Sequence, residues 1–251
     1  MSDEDKLRTY RGKRHFDRTR EPSGERTVRQ DGAGGQDRDD DPVFVVQIHD
    51  ASTMHFDFRL EVDGVLKSWS VPKGPSTDPH DKRLALPTED HPMAYRDFEG
   101  VIPEGEYGGG TVIVWDQGTY RPMSHDKKKR PVPFAEALEN GHATFELHGE
   151  KLRGQYALTR FHGREERSGA SAKPTWLLVR KGAGEGKGAG EGKGAGEGKG
   201  SGKDGGKSGG GKSGGTPDPR RARSARSGRT LRQVAEAPDA PRWEPHGGDK
   251  E

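Results

Sequence analysis

The sequence contains no cysteine, which excludes disulfides, thiolate metal sites and a cysteine nucleophile. Aromatic residues make up only 7% and hydrophobic residues only 27% of its 251 positions. That share is far below the usual globular value, so a large part of the chain cannot be packed. No run approaches the roughly 20 apolar residues that a membrane span requires. The stretch Met1 to Arg14 is charged throughout and lacks the apolar segment of a secretory leader. Cytoplasm is the expected compartment.

What is abundant is charge, 33% of residues, together with 39 glycines and 17 prolines. The net charge of +2 hides an uneven distribution. Residues 1–40 carry ten basic and ten acidic groups, residues 41–180 carry 18 and 21, and residues 181–251 carry 15 and 10. The middle is therefore slightly acidic and the basic excess lies in the tail. Nucleic-acid binding by the middle segment must use a local cation cluster or a metal, since bulk charge does not favour it.

Composition divides the chain in three. Residues 1–40 are a polar arm, residues 41–180 hold the apolar clusters, and residues 181–251 read as a disordered Gly/Lys/Arg-rich tail. Three copies of Gly-Ala-Gly-Glu-Gly-Lys run from Gly182 to Lys199, followed by Ser/Gly/Lys through Gly215. Nothing there buries apolar surface, and glycine maximises the entropy lost on ordering. Gly206 to Ser213 matches a phosphate-loop pattern, but neither the preceding strand nor the following helix is there, so the match is a decoy.

Between Pro42 and Arg180 the apolar residues fall in short runs with strand chemistry. These are Val43 to Ile48, His55 to Val62, Val65 to Val71, Thr111 to Trp115, Ala143 to Leu147, Tyr156 to Phe161 and Trp176 to Val179. Asp63-Gly64 predicts a type I′ hairpin, because that turn needs positive φ at both central residues. Asp116-Gln117-Gly118 predicts a second hairpin and His148-Gly149-Glu150 a third. Pro133 to Asn140, closed by Gly141, is the convincing short helix. The pattern predicts an all-β fold, a small antiparallel barrel with one or two short helices.

The chemistry concentrates in His49 to Leu60. Alternation along a strand puts His55, Asp57 and Arg59 on one face and Phe56, Phe58 and Leu60 on the other. His49 ends the preceding strand and can fold back beside His55. Two imidazoles and a carboxylate suit a divalent transition metal with open positions, and Arg59 then faces an anion on that metal. The bland alternative is an exposed sheet face whose polar groups meet water. Val71 to Pro75, Asp81 to Ala85 and Glu89 to Tyr95 mix charge with Pro and Gly, and each alone reads as a solvated loop. His125, His142, His148 and His162 read as loop or strand-end residues.

Taken together these segments resemble the 3′-phosphoesterase module of bacterial DNA ligase D and its free-standing relatives. The matching text is Val45 to His49, His55 to Trp69, Val71 to Pro75, Glu89 to Pro92, Asp97 to Gly108 and Thr111 to Asp116. It continues more weakly through Phe145 to Leu152 and Trp176 to Val179. The resemblance implies a small β-barrel enzyme, manganese-dependent, that trims DNA 3′ ends in repair by end joining. Members remove a terminal ribonucleotide to leave a 3′-phosphate, then convert that phosphate to a hydroxyl.

By position the resemblance makes His49, His55 and Asp57 metal ligands, and Arg59 and His91 contacts of the scissile phosphate. Tyr95, Lys73, Arg83 and Glu89 match further active-site positions. Lys13 to Phe16 and Glu21-Pro22 resemble a segment that lies over the site and contributes Arg14 and Glu21. That segment usually has an acidic residue where this chain has His15, and Asp17 replaces it only with a shift of register. The other reading of the arm is plain disorder.

The residue types agree with phosphoester chemistry, which needs oxygen charge neutralised, a nucleophile and a protonated leaving group. Arg59 offers fixed donors to an equatorial oxygen. His91, titrating near neutrality, either donates a proton or stabilises charge. The implied partners are DNA 3′ ends, a Ku-like end-binding protein and a separate ligase or polymerase, with nucleoid association during repair. Two competing readings are a non-catalytic DNA-end-binding module and an adaptor whose tail binds nucleic acid.

Overall fold

The computed structural model describes residues 3–24, 41–161, 174–182, 215–238 and 240. Two short helical turns come first, α1 (Asp3–Lys6) and α2 (Arg8–Arg11). The strands β1 (Val43–Asp50), β2 (Met54–Val62), β3 (Val65–Val71) and β4 (Lys82–Pro87) follow. A two-residue strand, β5 (His91–Pro92), leads into a 3-10 turn at Met93–Asp97 and then β6 (Gly100–Ile102) and β7 (Gly110–Pro122). After α3 (Phe134–Glu139) come β8 (His142–Gly149), β9 (Arg153–Phe161), β10 (Thr175–Arg180) and finally α4 (Leu231–Ala235). Among the described residues no helix is long and apolar enough to cross a membrane.

The strands pair in the order β1-β2-β3-β4-β10-β9-β8-β7, and β7 returns to β1, closing an eight-stranded antiparallel barrel. The expected all-β barrel with few short helices is the observed fold. Its interior is filled by the inward set of each strand, among them Phe44, Val46, Ile48, Phe56, Phe58, Leu60, Trp69 and Phe145. Asp63 and Gly64 adopt φ of 49° and 80°, as the predicted I′ turn demands. Gly141 takes φ of 82° just beyond α3, the left-handed C-terminal position expected of it.

Two expectations are corrected. Asp116-Gln117-Gly118 is not a turn; β7 runs straight through it, with a bulge that leaves Trp115 without an opposite residue on β1. Asp116 instead accepts the Lys151 and Leu152 amides at 2.9 and 2.8 Å, fixing the β8–β9 connection. Gly118 is needed because a Cβ there would lie 2.3 Å from the His148 carbonyl oxygen. Asp81 to Ala85, read alone as a solvated loop, lies largely within β4 (Lys82–Pro87). The strand's inward residue is the small Ala85, while Leu84 and Leu86 are each 40% exposed, so its apolar pattern is inverted.

A second apolar layer lies on the outside of the barrel. Val45, Leu66, Val112 and Val114 point outward and are covered by Tyr10, Tyr95, Phe98 and Ile102. The 3-10 turn and β6 supply part of this cover, and the N-terminal arm supplies Tyr10 and the partly buried Phe16. Part of the expected disordered arm, residues 3–24, is thus ordered against the barrel.

The tail also departs from expectation between Gly215 and Pro238. This segment, the strap, buries Ala222, Leu231 and Val234 in the barrel core. β7 pairs with β6 through Val112 and with β8 from Gly118, which leaves its edge open between them. There the Val114 amide donates to Glu99 at 2.8 Å, and the Val114 carbonyl accepts the Ala225 amide at 2.8 Å. The Ser224 hydroxyl holds the same Glu99 carboxylate. The tail's average polarity conceals the short apolar set Ala222/Leu231/Val234. The hexapeptide copies and the phosphate-loop decoy fall, apart from Gly182, outside the described residues.

Candidate active site on the outer face of the barrel

The polar row of β2 faces outward, as alternation requires. The β1–β2 register sets His49 opposite His55, Gln47 opposite Asp57 and Val45 opposite Arg59. An outward face would ordinarily be wet, but the second layer covers it. His49, Asp57, Arg59 and His91 are buried, while His55 is half-buried.

His49 Nε2 lies 2.9 Å from the Gly108 carbonyl oxygen, and His55 Nδ1 lies 2.7 Å from that of Thr53. A carbonyl only accepts, so in each neutral ring that nitrogen carries the proton and the other presents a lone pair. The lone-pair nitrogens, His49 Nδ1 and His55 Nε2, stand 3.7 and 3.6 Å from the two oxygens of Asp57. All three ligand atoms lie within 4.8 Å of one another. This donor set fits a divalent transition ion, and the carbonyls are the outer support that ligating imidazoles use. Burial works to raise the Asp57 carboxyl, but Arg59 and the imidazoles outweigh it and hold the group well below the usual carboxylate range.

Arg59 is fixed on every side. Nε donates to Gln47 at 2.8 Å, Nη1 to the Ser68 hydroxyl at 2.8 Å, and Nη2 to Asp57 at 3.0 Å. The Tyr95 ring lies 5.0 Å from the guanidinium carbon. β5 pairs with β3 and sets His91 beside Leu66, where Nδ1 meets the Glu89 carbonyl at 2.8 Å and Arg59 Nη1 at 3.0 Å. Only one of these contacts is satisfied at a time, since Nδ1 either donates or accepts. Burial first, and then the charges of Arg59 and Arg14, push His91 well below its ordinary value. The expectation of an imidazole titrating near neutrality is corrected: in this structure His91 is uncharged at neutral pH.

The arm closes the site from above. Arg14 donates Nε to Glu21 at 2.9 Å and Nη1 to Glu89 at 3.0 Å, and its Nη2 stands 3.3 Å from His91 Nε2. Tyr95 donates its hydroxyl to Glu21 at 3.0 Å. Burial and the Glu21 charge push the Tyr95 phenol well up, so it remains a donor. Lys13 bridges Glu89 and Tyr107 at 3.0 and 3.1 Å, and His15 meets Glu106 at 2.9 Å. His15 thus engages an acid from the loop before β7. Asp17 is exposed.

Nine of the eleven residues singled out by sequence converge: His49, His55, Asp57, Arg59, Glu89, His91, Tyr95, Arg14 and Glu21. Lys73 is exposed beyond β3, and Arg83 on β4 pairs with Asp81 at 2.7 Å. Neither has a hydrogen bond or ion pair to the cluster among the described residues. His125, His142 and His148 are exposed and take no part, and His162 lies outside the described residues.

Sequence reasoning missed Gln47, Ser68 and Tyr10. Gln47 was legible as the one polar residue between Val45 and His49 on the same strand face. Tyr10 packs 4.9 Å from His91 and 3.9 Å beneath Arg14, a role visible only as an aromatic four residues before Arg14.

Residues 47–160 match the family model of the DNA ligase D 3′-phosphoesterase domain. The multifunctional non-homologous end joining protein LigD of Pseudomonas aeruginosa is 48% identical over 181 residues, 72% of this chain and 19% of that protein. The corresponding DNA repair protein LigD of Mycobacterium tuberculosis is 43% identical over 160 residues, 63% of this chain and 19% of its own length. LigD of Mycolicibacterium smegmatis is 42% identical over 165 residues, 64% and 20% of the two chains. The chain spans about a fifth of the length of these relatives. In this barrel and the residues on its outer face, residues 47–160 match the DNA ligase D 3′-phosphoesterase domain family.

Proposed function

We propose that this chain is a manganese-dependent phosphoesterase that processes DNA 3′ ends for repair by end joining. The observation that carries this reading is the pair of carbonyl-held imidazoles turned on Asp57, directly beside the fixed guanidinium of Arg59. His49, His55 and Asp57 would hold the ion, whose chemistry is to polarise a phosphate and activate water. Arg59 and Arg14 bracket His91 and offer donors to the non-bridging oxygens. Burial and the cationic surroundings together hold His91 low, and a phosphate between the guanidiniums offsets the second of these. His91 then gains proton affinity, which supports a phosphate contact or a proton for the leaving oxygen. Glu21, Glu89 and Tyr95 position Arg14 and Arg59, and the exposed Lys73 and the partly buried Arg83 meet nucleic acid beyond the reacting phosphate.

The substrate in this reading is a primer–template ending in one ribonucleotide. Hydrolysis adds water to phosphorus, releases the terminal nucleoside and leaves a 3′-phosphate, which a second hydrolysis converts to a hydroxyl. A Ku-like protein and a separate ligase or polymerase are the proposed partners. Product analysis with and without manganese tests the reading. Stepwise conversion to 3′-phosphate and 3′-hydroxyl is expected with manganese, and DNA binding without any product would make the chain an end-binding module instead.

A further inference from the structure

The 3-10 turn at Met93–Asp97 has two sides. Tyr95 points into the imidazole site, whereas Arg96 lines a separate cleft of about 590 Å³. His148 near the end of β8, Arg153 at the start of β9 and Arg226 from the strap line the same cleft. Arg96 and Arg226 share one carboxylate, Asp97, at 3.5 and 2.6 Å. Two guanidiniums on one acid leave positive charge over. Arg153 adds to it and Glu150 opposes it. The cleft reaches Val45 on β1, four residues from His49 on the same strand face, about 13 Å at roughly 3.3 Å per residue.

The strap connects the two places. It starts where the Thr216 hydroxyl meets the Pro75 carbonyl at 2.7 Å, just beyond Lys73. Arg220 then acts electrostatically on Asp50, the neighbour of His49, and the strap continues to Val114 and Asp97. Between residues 215 and 232 it carries six arginines and one acid, Asp218. Buried Ala222 and Ser224 alternate with exposed Arg221 and Arg223, so docking turns the arginines outward and fixes their backbone. A slightly acidic barrel thereby gains a held row of cations from the metal-ligand end of β1 to the cleft.

We propose that the strap and this cleft form a binding surface for the phosphate backbone of the duplex flanking the reacting 3′ end. The proposal rests on the DNA-end reading above. At 3.4 Å of helix axis per nucleotide, a separation of about 13 Å places the cleft roughly four base pairs from the reacting phosphate. Because the cations are already ordered by the strap's burial, gripping phosphate costs little further chain entropy.

The test is the triple variant Arg153→Ala/Arg223→Ala/Arg226→Ala in the full chain, bound to a primer–template across a salt series. All three residues are exposed, so the melting temperature should hold. The dissociation constant should rise at least tenfold, and the slope of log affinity against log salt should fall by about two to three. Turnover at saturating substrate should stay within about twofold of the wild-type rate. The Arg→Lys triple, which keeps the charges, should recover most of the affinity. Unchanged affinity and slope overturn the proposal, as does a loss of turnover at saturation with the fold intact. Wild-type protein without hydrolysis but with arginine-dependent affinity removes the phosphoesterase reading and leaves this one standing. Hydrolysis with arginine-independent affinity does the reverse.

Discussion

His49 and His55 face each other across β1 and β2 with ring centroids 4.9 Å apart, and each turns one nitrogen to a backbone carbonyl and the other to Asp57. The geometry of the three candidate ligands is therefore set by strand register and main chain. Arg59, two residues on, is held by the same Asp57.

Removing a candidate ligand should weaken metal binding without unfolding the barrel. His49→Ala and His55→Ala should each weaken manganese binding in calorimetry by at least tenfold. The barrel should survive, because Phe56 and Phe58 pack on the opposite face. Wild-type affinity in both variants would remove the metal assignment.

Arg59→Lys keeps a charge but loses the planar fork that reaches Gln47, Ser68 and Asp57 together. Turnover should fall at least tenfold, about 1.4 kcal/mol of transition-state stabilisation. Steady-state kinetics near the wild-type rate would make Arg59 a packing residue.

Glu21→Gln leaves a neutral group between Arg14 and Tyr95, both of which donate to Glu21 Oε1. The arm should loosen, seen as faster hydrogen exchange across residues 10–24, while exchange in β8 and β9 is unchanged. Identical exchange in the arm would mean that the apolar contacts of Tyr10 alone hold it.

Acid should release the same arm. Burial works to raise the Glu89 carboxyl, but its hydrogen bonds, with Lys13 and Arg14 among the donors, hold it below its ordinary 4.5. A lowered carboxyl contributes stability that is complete above the unfolded value and lost as pH falls through the folded one. Arm protection should therefore persist at neutral pH and decay below 4.5, and Glu89→Gln should lose that acid dependence. Arm exchange independent of pH across this window would contradict the assignment.

The strap should contribute to stability as well as carry charge. Leu231→Ala should cost about 2 kcal/mol, the usual effect of emptying a buried leucine site. Truncation after Arg180 should lower the melting temperature further, because it removes Ala222, Leu231 and Val234 from the core and the Ala225 amide from the Val114 carbonyl. Equal melting temperatures would mean that residues 215–238 do not stabilise the barrel.

The sequence by itself determined the barrel class, most strands, the Asp63-Gly64 turn and the His55/Asp57/Arg59 face. All of these follow from local periodicity or turn chemistry. Strand alternation is a property of the backbone and survives any tertiary context. It did not reveal β4, whose leucines face solvent, nor the straight run of β7 through Asp116, where a distant amide pair claims the carboxylate. Only the tertiary structure decided that the polar face is covered and not wet. Residues 10–24 and 93–102 are polar or short in sequence, and they become a lid only against the outward valines of β1 and β7. The neutral state of His91 has the same origin, since burial and two converging guanidiniums are properties of the assembled site. Likewise, Ala222, Leu231 and Val234 are too sparse to signal a core, and they join one beside the edge that β7 leaves open between β6 and β8.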